Sequence, residues 1–306
     1  MTDLHGFFAA LPTPFTADSS NIAERSLGDL VRRNLDAGLD GLYVGGSTGE
    51  AFLMTEKERE RVLRIALEAA SGPGRMIAHV GDPDPTVSGR LARVAAKMGY
   101  DAISAVPPFY YQYGIEEIRE HYSLLARQTD LPFIIYNFPM LSGVRWSVDE
   151  LAGLLELPGV IGVKNTCADL YAFEKLRRRS PESILYHGFD ETLLPGLSVG
   201  ADGGIGSTYN IQAARILALA DAHRRGLTKE AQDLQAQANN LIDVLVSVGV
   251  LPGLKYLLDQ SGIPMGNCRR PFRPLSDSSR QKLDAVAEHN FGSGQMIRAD
   301  LNSTGV

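Results

Sequence analysis

Three times the chain repeats one short phrase: Gly38-Leu39-Asp40-Gly41, Gly99-Tyr100-Asp101-Ala102 and Gly200-Ala201-Asp202-Gly203. Each copy follows an amphipathic stretch and precedes a short apolar one. Glycine suits the left-handed residue that closes a helix, and the short loop behind it feeds a strand. The phrase therefore marks helix-to-strand joints and confines the chain to alternating β and α layers. Apolar runs at 7–11, 41–44, 75–80, 102–106, 133–136, 160–164 and 184–188 read as strands, with a weaker, glycine-rich one at 203–207. Helical spacing of apolar residues appears at 24–35, 87–98 and 115–126. A further helix opens at Thr55, which forms a capping box with Glu58.

Eight β/α units in about 210 residues match an α/β fold of the (β/α)8 TIM-barrel type. A doubly wound sheet is the alternative, but no strand is followed by a dinucleotide fingerprint. Beyond the eighth unit, 229–246, 252–260 and 277–291 read as helices with no strand between them. The expected organisation is a catalytic barrel over 1–225, a C-terminal helical extension over 226–291 and a small, polar tail over 292–306. The extension would serve as an oligomer surface or a cover on the barrel.

Composition narrows the function. The 306 residues are 44% hydrophobic and 22% charged, with a dispersed net charge of -6. No basic stripe suggests nucleic acid or a membrane surface. No apolar run reaches the ~18 residues of a membrane span, and residues 1–6 lack the charge pattern of a signal peptide. Two cysteines, Cys167 and Cys268, make no disulfide framework and fit a reducing, cytoplasmic setting. The six histidines form neither HExxH nor zinc spacing with cysteine, so no metal is expected.

In a barrel, chemistry gathers at the C-terminal ends of strands. The sixth run, Gly159-Val160-Ile161-Gly162-Val163-Lys164, drives an apolar strand into a lysine. Such a lysine can lay its stem on the core and its ammonium in water. Partly desolvated, its free amine can instead attack a ketone to form a Schiff base. Tyr136 ends the preceding strand, about 5 Å away by strand spacing, and could carry protons for that chemistry or be a core tyrosine. Gly45-Gly46-Ser47-Thr48-Gly49-Glu50 is a small-residue turn whose amides and hydroxyls could hold a carboxylate or phosphate, or cap a helix. It also matches the G-x-S-x-G hydrolase elbow. However, the first strand ends in Pro12-Thr13-Pro14, poor in amide donors, and the late histidines His223 and His289 fall in helices. Asp190 and Glu191 could favour a helix N-terminus or, with Thr166 and Ser207, bind a polyhydroxylated substrate.

The elements Tyr43 to Phe52, Tyr136-Asn137-x-Pro139, Lys164-x-Thr166 and Gly203 to Asn210 closely resemble the pyruvate-dependent class I aldolase family that holds N-acetylneuraminate lyase and dihydrodipicolinate synthase. The resemblance runs from about Gly6 to about Pro274. It implies a carbon–carbon lyase, reversibly cleaving N-acetylneuraminate to pyruvate and N-acetylmannosamine, with no cofactor beyond a covalent imine on Lys164. Tyr136 would shuttle protons at the C4 hydroxyl, and Ser47 and Thr48 would hold the carboxylate. Tyr110 would be lent to a neighbouring subunit of a homotetramer. Thr166, Gly188, Asp190, Glu191 and Ser207 would hold the polyol chain.

Leu141 stands where the synthases usually carry an arginine, which favours the lyase branch. Cys167-Ala168, His187 and Phe189 depart from the expected pattern beside the sugar positions. Another 2-keto-3-deoxy sugar acid, a synthase-like pyruvate condensation and a non-catalytic pyruvate-binding barrel are the alternatives. Retention of both Lys164 and Tyr136 speaks against the last.

Overall fold

The computed structural model describes residues 3–291; the 292–306 tail lies outside them. Eight parallel strands close into a barrel in the order β1-β2-β3-β4-β5-β6-β7-β8, with β1 pairing β8. They are β1 (Gly6–Ala10), β2 (Gly41–Val44), β3 (Arg75–His79), β4 (Ala102–Ala105), β5 (Phe133–Asn137), β6 (Val160–Asn165), β7 (Ile184–His187) and β8 (Gly203–Gly206). Around them lie α1 (Glu24–Asp36), α2 (Glu56–Ala69), α3 (Pro85–Met98), α4 (Ile115–Ala126), α5 (Pro139–Ser142), α6 (Val148–Leu155), α7 (Leu170–Arg179), α8 (Leu193–Ser198) and α9 (Tyr209–Arg224). Then come α10 (Thr228–Val248), α11 (Val250–Gln260) and α12 (Asp277–Phe291). Each expected strand forms within a residue or two of its reading. Thr55 caps α2 in the expected box, accepting the Glu58 N–H while the Glu58 carboxylate takes the Thr55 N–H.

The repeated phrase does more than turn the chain. Its glycines, Gly38, Gly99 and Gly200, have φ of +86°, +101° and +99°, a region that side-chain-bearing residues rarely adopt. Its aspartates close the barrel floor. Asp40 accepts the Phe7 N–H at 2.7 Å, Asp101 the Met76 N–H at 2.8 Å and Asp202 the Leu185 N–H at 2.7 Å. The backbone N–H of each aspartate returns a bond to the same residue's carbonyl, at 2.9–3.0 Å. An amide at the foot of a strand would otherwise lack a ladder partner. The carboxylates thus tie β1 to β2, β3 to β4 and β7 to β8.

Strand alternation sorts the core into two layers. Phe8, Ala10, Tyr43, Ile77, Ile134, Tyr136, Tyr186 and Ile205 fill the barrel interior, with Leu4 buried at its foot. Ala9, Leu42, Val44, Ala78, Ile103, Ile135, Val163 and Leu185 face the helices. Lys164 follows Val163 and shares the inward parity of Gly162, so strand geometry alone aims it into the interior. The break between α10 and α11 falls at Gly249 and bends the pair by 117°. No single described helix is long and apolar enough to cross a membrane.

Candidate active site

A cavity of about 1090 Å³ opens at the C-terminal ends of the strands. Lys164, near the end of β6, is 4% exposed and stands in register with Tyr136 on β5. Its Nζ lies 4.1 Å from the centre of the Tyr136 ring and 4.6 Å from that of Tyr43. Two π faces thus hold the terminal nitrogen where little water reaches it. The Tyr43 hydroxyl donates to Ser104 Oγ at 3.0 Å, and burial holds its phenol well above the usual range.

Beside this cage sits His79, 1% exposed. Its Nε2 accepts the Val106 N–H at 3.3 Å, which leaves Nδ1 to donate to the Gly45 carbonyl at 3.0 Å. Burial first, then the Arg59 guanidinium, hold the imidazole well below its ordinary value, so it is neutral. His79 therefore joins the loop after β2 to the chain after β4.

That first loop carries Ser47 and Thr48, both half-buried and lining the cavity. The amides of Gly49, Glu50 and Ala51 bond to the Gly46 and Ser47 carbonyls at 3.0–3.3 Å. Ser47 and Thr48 remain as the loop's donors. They cap no α-helix: a 3-10 turn at Ala51–Leu53 intervenes, and Thr55 caps α2. The hydrolase elbow fails on the same geometry. It needs a strand–turn–helix and a histidine free to serve as base. Both ring nitrogens of His79 are engaged, while His223 and His289 lie on α9 and α12.

The opposite wall comes from β6, β7 and β8. Thr166, 4% exposed, leaves its buried Oγ1 without a protein partner. Gly188 lies so close that a Cβ there would sit 2.0 Å from that oxygen, so only glycine fits. Asp190 is buried, and its Oδ2 accepts the Thr208 N–H at 2.8 Å and the Thr208 hydroxyl at 2.7 Å. Burial pushes its carboxyl up to about 6, against those hydrogen bonds. Helix α10 supports this wall from behind. Gln235 donates to the Asp190 carbonyl at 3.0 Å and accepts the Leu194 N–H at 2.8 Å. Asn239 donates to the Glu191 carbonyl at 3.1 Å.

Nine of the ten expected site residues line this cavity: Ser47, Thr48, Tyr136, Lys164, Thr166, Gly188, Asp190, Glu191 and Ser207. Tyr110 does not. It is 87% exposed, has φ +82°, and rests edge-on against Tyr111 with ring centres 5.1 Å apart. The expectation for Tyr110 concerns a neighbouring subunit's cavity, and its exposure leaves it outside the cavity of its own chain. The two departures beside the sugar positions also separate. Phe189 lines the cavity, edge-on to Phe138, which stacks on Tyr136. His187 is buried, bonds Thr192 Oγ1 at 2.8 Å, and is held down at about 4 by that burial. Cys167 is a free, half-buried thiol.

Among the described residues no cluster of three or more His, Cys, Asp or Glu side chains could hold a metal ion. Sequence reasoning missed His79, Tyr43 and the apolar wall supplied by Leu245, Leu251 and Phe272. A histidine inside an apolar strand was the available signal for the first.

The profile of the dihydrodipicolinate synthetase family matches residues 3–290. The chain belongs to this family. It is 46% identical over 289 residues to the N-acetylneuraminate lyase of Enterobacter sp. (strain 638), covering 93% of this chain and 96% of that one. A Clostridium difficile protein, CdNal, solved in complex with mannosamine, superposes with a TM-score of 0.92 at 36% identity, covering 95% of this chain and all of that one. The N-acetylneuraminate lyase of Fusobacterium nucleatum complexed with pyruvate gives 0.88 at 36% identity, with 94% and 97% covered. Against this family background Leu141 takes a definite meaning. It lines the cavity mouth, 62% exposed, and offers no cation to a second carboxylate.

Proposed function

We propose that this chain cleaves N-acetylneuraminate reversibly to pyruvate and N-acetylmannosamine through an imine on Lys164. One observation carries the reading. A buried lysine faces a tyrosine in strict register, between a hydroxyl-bearing loop and a wall with a buried carboxylate. In the cleavage direction Nζ adds to the C2 ketone and water leaves, giving a protonated imine. Tyr136 relays the proton of the C4 hydroxyl, passing its own phenolic proton to the substrate carboxylate as it accepts the new one; the C3–C4 bond breaks, and the aldehyde departs. The electron pair flows into the imine to give a neutral enamine. Protonation at C3 and hydrolysis then release pyruvate and restore the amine.

Ser47 and Thr48 hold the substrate carboxylate in this reading. Thr166, Gly188, Asp190, Glu191 and Ser207 receive the hydroxylated chain, and the buried, unpartnered Thr166 Oγ1 supports that role. Tyr110, exposed on this chain, is the residue we assign to a neighbouring copy's site in a cytoplasmic homotetramer.

Borohydride reduction in the presence of pyruvate, read by peptide mass spectrometry, tests the centre of the reading. A reduced pyruvyl adduct on Lys164 is expected, and its absence would sink the aldolase assignment. Pyruvate release from sialic acid should exceed that from 2-keto-3-deoxygluconate. The reverse order would keep the mechanism and change the substrate.

A further inference from the structure

Glu50 ends the Ser47–Thr48 loop in the left-handed region, with φ 57° and ψ 36°. A residue with a side chain holds that conformation only when its surroundings impose it. Here they do. Glu50 is 3% exposed, and its two oxygens reach different parts of the C-terminal extension. Oε1 pairs with Lys255 Nζ on α11, and Oε2 accepts the Arg269 N–H at 2.7 Å. Lys255 is itself 2% exposed, its Nζ 4.3 Å from the centre of the Phe15 ring.

The Arg269 guanidinium then pairs with Glu58, at the head of α2, and donates to the Leu53 carbonyl at 2.9 Å. One short segment of the extension thus grips both ends of residues 50–58. The rest of the loop is fixed from the barrel, through His79 on the Gly45 carbonyl and the Thr13 hydroxyl on the Gly49 carbonyl at 2.7 Å.

A buried ion pair is a poor stability device, because desolvating both charges offsets their attraction. Apolar replacements of similar volume are often neutral or stabilising, whereas removing one partner is costly. The pair's evident effect is geometric: it sets the end of the loop whose donors face the cavity.

We infer that Glu50, clamped by Lys255 and Arg269, is a positioning residue for the substrate carboxylate. The inference rests on the aldolase reading and adds to it a role for the extension in binding the keto acid.

The test is the pyruvate dependence of borohydride inactivation, measured with thermal stability on the full chain. In Glu50→Gln/Lys255→Met the pair is neutral, and the introduced amide oxygen can still accept the Arg269 N–H. Its pyruvate half-saturation should rise about tenfold while the maximal trapping rate stays within about twofold, the pattern of lost ground-state binding. Glu50→Asp keeps the charge but shortens the reach; it should raise half-saturation in the same direction, and it covers the case where the double variant fails to fold. Lys255→Arg, which preserves the cation, should keep near-parental half-saturation. Unchanged half-saturation in folded Glu50 variants, with or without a lower melting temperature, would overturn the inference and leave the pair structural. Failure of the parent to trap pyruvate at any concentration would remove the aldolase reading and this inference with it.

Discussion

The two sides of the cavity are built differently. On one side Lys164 and Tyr136 stand on adjacent strands, placed by parallel register and side-chain alternation. Little can shift there without breaking the barrel. On the other side Asp190 and Glu191 sit on a loop after β7, held through their backbone carbonyls by Gln235 and Asn239 of α10. The first side is set by the strand ladder, the second by a few hydrogen bonds from a separate helical layer. Bond-making chemistry and chain recognition therefore rest on separable supports. Substitutions on one side should leave the other's readout intact.

The sharpest break falls on the chemical side. Lys164→Ala should abolish turnover and pyruvate trapping while the protein stays folded by circular dichroism, since the lysine makes ring contacts but no ion pair or hydrogen bond in the described structure. Measurable turnover would refute the Schiff-base role. Tyr136→Phe comes next. It keeps the ring face over Lys164 and deletes only the hydroxyl. A loss of roughly 10²–10⁴ in kcat is expected, the usual worth of a positioned proton carrier, with borohydride trapping of pyruvate retained. Equal loss of trapping would make Tyr136 a structural neighbour of the lysine and not a proton carrier.

The recognition side should respond in the opposite sense. Gln235→Leu removes a donor to the buried Asp190 carbonyl, which keeps only the Leu193 N–H, and the acceptor for the half-buried Leu194 N–H. A stability cost of about 1–3 kcal/mol is expected. The KM for the sugar acid should rise severalfold, while the half-saturation for pyruvate trapping stays at the parental value. If both constants rise together, the two supports are not independent and the comparison fails.

The chemical side was far more legible in the sequence than the other. Strand periodicity alone put Lys164 and Tyr136 on neighbouring ends, and the repeat Gly-x-Asp fixed where helices hand over to strands. That periodicity could not show that Asp40, Asp101 and Asp202 bond back to the preceding strand, because the partner amides lie 33, 25 and 17 residues away in sequence. Residues serving the loops from the extension were equally hidden. Gln235 and Asn239 look like ordinary polar positions of a surface helix until the β7 loop is laid against them. Lys255 did leave a trace, a charge among Leu254, Leu257 and Leu258 on α11. Its partner, Glu50, lies in the loop after β2, at the far end of the chain and beyond any local pattern. Tyr110 shows the converse limit. Its expected role came from family resemblance, and a single chain holds it in the open.

A pH comparison tests whether the recognition side carries a titrating group. The Asp190 carboxyl, with an ordinary value of 3.8, is pushed up to about 6 by burial. Between those two values the folded chain keeps a proton that the unfolded chain has released. Stability from this group is therefore fully present below 3.8 and falls as pH rises through about 6, by roughly 3 kcal/mol in all. Asp190→Asn retains an oxygen for the Thr208 N–H and hydroxyl but cannot titrate. Unfolding free energies of the parent and this variant, compared between pH 4 and 7, should diverge by about that amount, the parent losing more as pH rises. The same ionisation should lower the parent's sugar-acid KM as pH passes upward through 6, because the carboxylate becomes a stronger acceptor for substrate hydroxyls. Pyruvate trapping, served from the other wall, should show no step at that pH that the variant lacks. Parallel stability curves would mean that Asp190 stays ionised throughout, with the Thr208 hydrogen bonds outweighing its burial.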